Sequence, residues 1–284
     1  MTTPIPGIPV PAELSGQLLL SHYQRAQRSI AQQAAQAIYN LWLRMVDPEH
    51  FNDSWQTLGP LVNGIMATRY QATAANAAQY YANARVTAGF DYTIVPGQEP
   101  DLQYISNVAD AMGPGQFYHF LGPDTDASVA SGMANDALRG ASTRMVMMGG
   151  RDTITNAAHH DPQARGWERV IEPGSCGFCA MLAGRGAVYK ESTVDFRAHD
   201  HCHCTARPVF IGQESINKDL AAEWGTATKG TRGKAAIQTW NKYWEAKNGG
   251  SETTAGIAEE RSGTPAVEHQ SVGRAEIPHQ AANR

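Results

Sequence analysis

The chain has 284 residues, 42% hydrophobic and 18% charged, which is enough for a sizeable core and too apolar for a highly charged disordered chain. No run approaches the roughly 20 apolar residues that a bilayer span requires, and the opening MTTPIPGIPVPAEL lacks the basic and apolar regions of a secretion signal. A net charge of −4 argues against a protein that coats nucleic acid over its whole surface and leaves room for a local basic face. The expectation is a soluble protein assembled in the cytosol, with no membrane partner.

Pro4, Pro6, Pro9 and Pro11 alternate with small or apolar residues, so the start reads as an extended arm. From about Ala12 to Met45 the residues Leu19, Tyr23, Ala26, Ile30, Ala34, Ala37, Leu41 and Met45 recur at three- and four-residue steps, which predicts a long helix ending at Asp47-Pro48. A second helix is expected from near Pro60 to about Ala84, alanine-rich in its later half and suited to close backbone packing. Phe90 to Val95 is a strand candidate. Asp101 to Met112 and Asp126 to Met147 read as helices separated by a loop around Gly113-Pro114-Gly115 and Gly122-Pro123-Asp124. Gly149-Gly150 is expected to break the second of these, with Asp152 capping a short helix through Ala158.

The middle changes character. WERVI (Trp167 to Ile171), AVY (Ala187 to Tyr189) and RPVFI (Arg207 to Ile211) are β-prone. Helix signals return at Ile216 to Trp224 and at Gly233 to Lys247. Beyond Gly249 the sequence is polar and unpatterned and reads as a flexible tail.

All four cysteines of the chain, Cys176, Cys179, Cys202 and Cys204, fall within 29 residues as C-x2-C, 22 residues, then C-x-C. In a chain of this size without a secretion signal, such clustering favours a metal over disulfides. Gly177 eases the tight C-x2-C turn. Cys202 and Cys204, two apart, point to one side of an extended strand. Pairing of AVY with RPVFI would bring them against the first pair, and four thiolates would close a tetrahedral zinc site with no open position. His199, His201 and His203 interleave with the second pair, so a three-cysteine site using His199 or His201 is an alternative. So are a reactive or redox thiol cluster and buried free cysteines.

Catalytic signatures are missing: there is no G-x-S-x-G, H-E-x-x-H, G-x4-G-K-[ST] or H-x-E. A cysteine nucleophile paired with histidine remains as a formal reading, weakened because a thiolate held on zinc is a poor nucleophile. His159-His160-Asp161 reads as a solvated helix end. Met145, Met147 and Met148 read as core or interface filler, and Trp167, Trp240 and Trp244 as packing anchors. Lys/Arg outnumber Asp/Glu seven to four between Arg139 and Lys190, and again between Arg207 and Lys247. Lys229, Arg232 and Lys234 lie among glycines in TKGTRGK, a basic loop that is either a solvated face or a contact for phosphate backbone.

The run from about Met148 to Phe210, GGRDTITNAAHHDPQARGWERVIEPGSCGFCAMLAGRGAVYKESTVDFRAHDHCHCTARPVF, resembles the MuF-like minor head proteins of actinobacterial tailed phages. The wider family shares an H-P-x-C-x-C element. His199, Cys202 and Cys204 match its histidine and cysteines, while Asp200 stands in place of its proline. Cys176 and Cys179, within C-x-F-C-A-M-L-A-x-R-G, look specific to the actinophage branch. The resemblance implies a structural, non-enzymatic virion protein of low copy number, at the portal vertex or capsid interior during head assembly. Portal, scaffold or major capsid protein would be its partners, and packaged DNA a non-specific one. Some members of the branch are labelled capsid maturation proteases, which is one alternative; a nuclease-like or DNA-binding zinc module is another.

The expected architecture is α+β: an extended arm (1–14), a helical domain (15–160), a small β-rich cysteine module stapled by structural zinc (161–212), C-terminal helices (213–248) and a flexible tail (249–284).

Overall fold

The computed structural model describes residues 12–172, 174–186 and 196–248, with side chains from residue 15. The expected tail and AVY lie outside the described residues, as does the arm up to residue 11. The fold is mostly helical, with one two-stranded sheet.

Three long helices form the body: α1 (Ala12–Met45), α2 (Phe51–Thr87) and α5 (Ala127–His160), each packed on the other two. Alpha1 has the extent its periodicity predicts; of its recurrent positions Tyr23 and Ala34 are buried and the others half-buried, and the buried stripe also takes in Ala31, Ile38 and Trp42. After it, Asp47 accepts the Glu49 N–H at 3.0 Å and caps a single 3-10 turn, Pro48–His50. The chain passes from that turn straight into α2, nine residues before the expected start at Pro60. Pro60 sits inside the helix on its exposed face, where the carbonyl left without a donor can bond to water.

The expected break at Gly149-Gly150 does not occur, and α5 is continuous. Both glycines are buried at the point where the three helices meet. A Cβ on Gly149 would lie 2.2 Å from the Tyr70 carbonyl oxygen of α2, and one on Gly150 would lie 2.4 Å from Oε1 of Gln27 of α1. Thr73 Oγ1 donates to the Val146 carbonyl at 2.5 Å and Gln27 Nε2 to the Thr73 carbonyl at 2.8 Å, so fully buried polar groups pin the same contact. Close packing offsets the cost of glycine within a helix.

One end of this body holds an apolar core of Trp42, Phe51, Leu58, Val62, Met66, Leu138 and Met145. It is closed by α3 (Leu102–Asp110), a π-helical turn (Ala111–Gly115) and α4 (Gln116–Phe120). Helix thus replaces the first part of the expected loop, around Gly113-Pro114-Gly115, while the second part, Gly122-Pro123-Asp124, is a turn between α4 and α5. Phe117 of α4 stacks on Phe51 with ring centroids 3.9 Å apart. Phe90 to Val95 forms no strand: it runs without a ladder partner, and Ile94 is 83% exposed.

The other end of the body carries the sheet. Beta1 (Ala164–Val170) pairs antiparallel with β2 (Thr205–Phe210), Trp167 opposite Pro208 and Val170 opposite Thr205. RPVFI therefore pairs with WERVI; the expected pairing with AVY lies outside the described residues. Both strands are buried on nearly every residue, against α5 and the flanking core, and the burial takes in the charged Glu168 and Arg169. Tyr23, Tyr80, Tyr81, Ile154, Trp167, Phe196 and Phe210 form one core here together with Cys179, Cys202 and Cys204. The cysteine segment and the helical body thus share a hydrophobic core. Beyond the sheet, α6 (Gly177–Ala183), α7 (Lys218–Ala227) and α8 (Gly233–Lys247) pack on one another. Among the described residues no helix is long and apolar enough to cross a membrane.

Candidate metal centre

Each cysteine pair is delivered by a short turn beside the sheet. After β1 the chain turns at Glu172, whose N–H donates to Ser175 Oγ at 2.9 Å while its carbonyl accepts the Ser175 N–H at 3.0 Å. Cys176 then stands in extended backbone as the N-cap of α6, and Cys179 lies in the first turn of that helix. Alpha8 clamps this knuckle from outside. Trp240 Nε1 donates to the Gly177 carbonyl and Trp244 Nε1 to the Ser175 carbonyl, both at 2.7 Å. Gly177 is required by this contact and not by the turn itself, because a Cβ there would fall 2.6 Å from Asn241 Oδ1 of α8.

The second pair lies just before β2. His201 adopts a left-handed φ of 59°, and its N–H donates to the Gly140 carbonyl of α5 at 3.2 Å. That reversal, with the Cys202 N–H bonded to the His199 carbonyl at 3.2 Å, turns His199 inward and sends His201 elsewhere. The His201 ring lies against Gly140, in a cleft shared with Gln32, Gln36, Arg139, Thr143 and His203. The structure brings His199 to the thiols and leaves His201 and His203 outside them.

Five side chains converge. Cys176, Cys179 and His199 form one group whose ligand atoms lie within 4.8 Å of one another, and Cys179, Cys202 and Cys204 form a second. Cys179 belongs to both. Its sulfur is 3.7 Å from Cys202 Sγ, close to the edge of about 3.8 Å that tetrahedral geometry gives for zinc–sulfur bonds of about 2.3 Å. His199 Nε2 is 3.0 Å from Cys176 Sγ and 3.9 Å from Cys179 Sγ. The opposite ring nitrogen, Nδ1, donates to the Asp200 carbonyl at 2.6 Å, the arrangement that orients metal-binding imidazoles. Cys179, Cys202 and Cys204 are buried and Cys176 is half-buried. The donor set fits a metal ion, and these residues could hold one.

The thiols polarise one another. Cys176 is drawn down to about 4 by its contact with Cys179 and then by His199, against burial. Cys202 is also lowered, by its contacts with Cys179 and Cys204. Cys179, hydrogen-bonded to Cys176, Cys202 and Cys204, is raised. For Cys204 the Cys179 contact pulls downward, but the Cys202 contact and burial outweigh it and bring the thiol to about 11. The Cys176 contact lifts His199 to about 9 against its burial. Two sulfurs thus favour the thiolate and two the thiol, an arrangement that a cation would convert to thiolates throughout.

Two arginines border the cluster. Arg151 of α5 donates from Nη2 to the Cys202 carbonyl at 2.7 Å and from Nε to the Cys204 carbonyl at 2.9 Å. Arg169 of β1 donates from Nη1 to Cys179 Sγ at 3.8 Å and from Nη2 to the Arg197 carbonyl at 2.5 Å. Both guanidinium groups lie over the Phe196 ring, 4.9 and 3.7 Å from its centroid. Sequence reasoning had no signal for either residue, since arginine in an unaligned sequence reads as solvent-exposed. The remaining clusters fall away from the sulfurs. His159 and His160 close the last turn of α5, while Asp161 accepts from Arg85 Nε at 2.9 Å and the Tyr81 hydroxyl at 3.1 Å. Met145 and Met147 are buried among the long helices.

The family model of the VG15 protein matches residues 17–227, a span from the first helix through α7 that includes all five converging side chains. No curated protein and no solved structure matches the chain. The chain belongs to the VG15 protein family, a viral family found in phages.

Proposed function

We propose that this VG15-family protein is a structural minor head protein of the MuF-like kind, acting at the portal vertex or capsid interior during phage head assembly, and that its cysteine centre carries a structural zinc ion. The observation behind this reading is the position of the centre. Cys179, Cys202 and Cys204 are at most 3% exposed and lie between the end of the long-helix body, the sheet and α8. An ion there would join the two ligand-bearing turns in place of meeting a substrate. Cys176, Cys179, Cys202 and Cys204 are the ligands in this reading, with His199 as substitute for one of them. Zinc in such a closed set contributes folding free energy, on the order of 10 kcal/mol in small modules. The viral family supports a role in the particle. Lys229 and Arg232, exposed between α7 and α8, and Lys234, exposed at the start of α8, offer a salt-sensitive contact for packaged DNA. Portal, scaffold or major capsid protein would take the helical surface.

Quantitative mass spectrometry of purified particles tests the role. The chain should be present in few copies in the head, and a null mutant should stall during head assembly. Normal infectious particles from the null mutant would contradict the role.

One observation favours a second reading, a capsid maturation protease. Cys176, the sulfur most open to solvent, sits 3.0 Å from His199 with its thiol drawn down to about 4. Under that reading a folded Cys176→Ala variant leaves head proteins uncleaved. Under the structural reading their processing is unchanged.

A further inference from the structure

We infer that Arg151 and Arg169 are the counter-cations of the cysteine centre, and that they favour its four-thiolate form over one in which His199 replaces a sulfur. The inference rests on the metal-site reading above and concerns how the chain balances the charge of that site.

Both arginines are almost completely buried, at 0% and 2% exposure. A guanidinium stays charged under any condition in which a protein folds, and an unpaired buried charge is strongly destabilising. Among the described residues neither arginine forms an ion pair with a carboxylate. The nearby buried carboxylate, Glu168, is already answered by Arg207 at 2.5 Å. The contacts of the two cations include the centre, through the carbonyls of Cys202 and Cys204 for Arg151 and the sulfur of Cys179 for Arg169, beside the carbonyls of Arg144 and Arg197 and the face of Phe196. Arg169 Nε also lacks a hydrogen-bond partner.

The carbonyls and the Phe196 ring offer only partial negative charge, so we assign the full compensating charge to the sulfurs. Four thiolates around a divalent ion carry two net negative charges, which the two arginines cancel. Three thiolates and a neutral imidazole carry one and leave a buried positive charge in excess. The arginines act as positioning residues: Arg151 holds the backbone of both C-x-C cysteines, and Arg169 faces the sulfur common to both ligand groups. His199, on this account, borders the centre through Cys176 without entering the ligand set.

The test uses the full chain with Arg151→Met, Arg169→Met and the corresponding lysine variants, and zinc and cobalt(II) as probes. Competition with a chelator gives zinc affinity; the near-ultraviolet sulfur-to-cobalt charge-transfer band counts thiolates. Each methionine variant should lose zinc affinity by roughly tenfold to a hundredfold, the usual effect of removing an outer partner of a metal ligand. Its cobalt band should weaken toward three thiolates. The lysine variants, which keep the charge, should retain the four-thiolate band and most of the affinity. A purely structural role would lower stability with and without metal alike and leave affinity and band unchanged. Folded methionine variants with wild-type affinity and band would overturn the inference. If the methionine variants fail to fold, the lysine variants decide, and loss of the four-thiolate band in them would overturn it. Failure of the wild-type chain to bind either ion would instead remove the metal-site reading beneath it.

Discussion

Alanine in place of Gly149 should destabilise this protein, although the same exchange ordinarily strengthens a helix. Glycine to alanine in an exposed helix interior is favourable by about 1 kcal/mol. At Gly149 the added methyl would lie 2.2 Å from the Tyr70 carbonyl oxygen and 2.6 Å from Thr73 Oγ1, so α2 and α5 would have to part by about 1 Å to restore contact distance. Overpacking of this kind costs about 1–3 kcal/mol. Separation would also stretch the buried bond from Thr73 Oγ1 to the Val146 carbonyl, with about 1–3 kcal/mol at stake. The balance is a net loss of about 2 kcal/mol or more, or a fall in melting temperature of about 2–4 °C for each kcal/mol. Gly132 provides the control on the same helix: it is exposed, and a Cβ there meets nothing within 4 Å. Gly132→Ala should gain about 1 kcal/mol. Urea unfolding of both variants, followed by far-ultraviolet circular dichroism at constant metal, reads the difference in sign. A Gly149→Ala protein as stable as the wild type would refute the close-contact explanation for the unbroken α5.

Two further outcomes follow from the site. Trp240→Phe removes the donor to the Gly177 carbonyl at a fully buried position, so it should cost about 1–3 kcal/mol and speed metal loss to a chelator; unchanged unfolding and unchanged metal release would contradict the clamp. Cys179 and Cys204 are held protonated at neutral pH, so metal binding must expel their protons: affinity should fall as the solution is acidified from about pH 8 to about pH 6, with proton release visible in calorimetry across buffers. Affinity independent of pH would contradict the thiol assignments.

How much of this could be read beforehand depends on whether a feature is local. The helical period of α1 is a property of that segment alone, and α8 is set by its tryptophan face, so both were legible, though the buried stripe of α1 lies partly on residues outside the expected face, Ala31, Ile38 and Trp42. The convergence of the cysteines was legible from spacing, but the strand pairing that delivers the second pair was not. WERVI is far from RPVFI in sequence, and its pairing rests on tertiary burial that local strand propensity does not record. The continuity of α5 was hidden because the penalty of Gly149-Gly150 is offset by Tyr70, Thr73 and Gln27, which lie far away in sequence. The separation of His199 from His201 turns on one left-handed residue, and the burial of Arg151 and Arg169 on tertiary packing, neither of which periodicity records.

The most direct test of the central claim is metal content per chain, by elemental mass spectrometry on the purified full-length protein and on its Cys176, Cys179, Cys202 and Cys204 alanine variants. The account predicts one zinc per chain in the wild type and its loss, together with cooperative unfolding at a lower temperature, in each variant. A wild-type chain that folds with no metal and whose thiols react rapidly at neutral pH would contradict it.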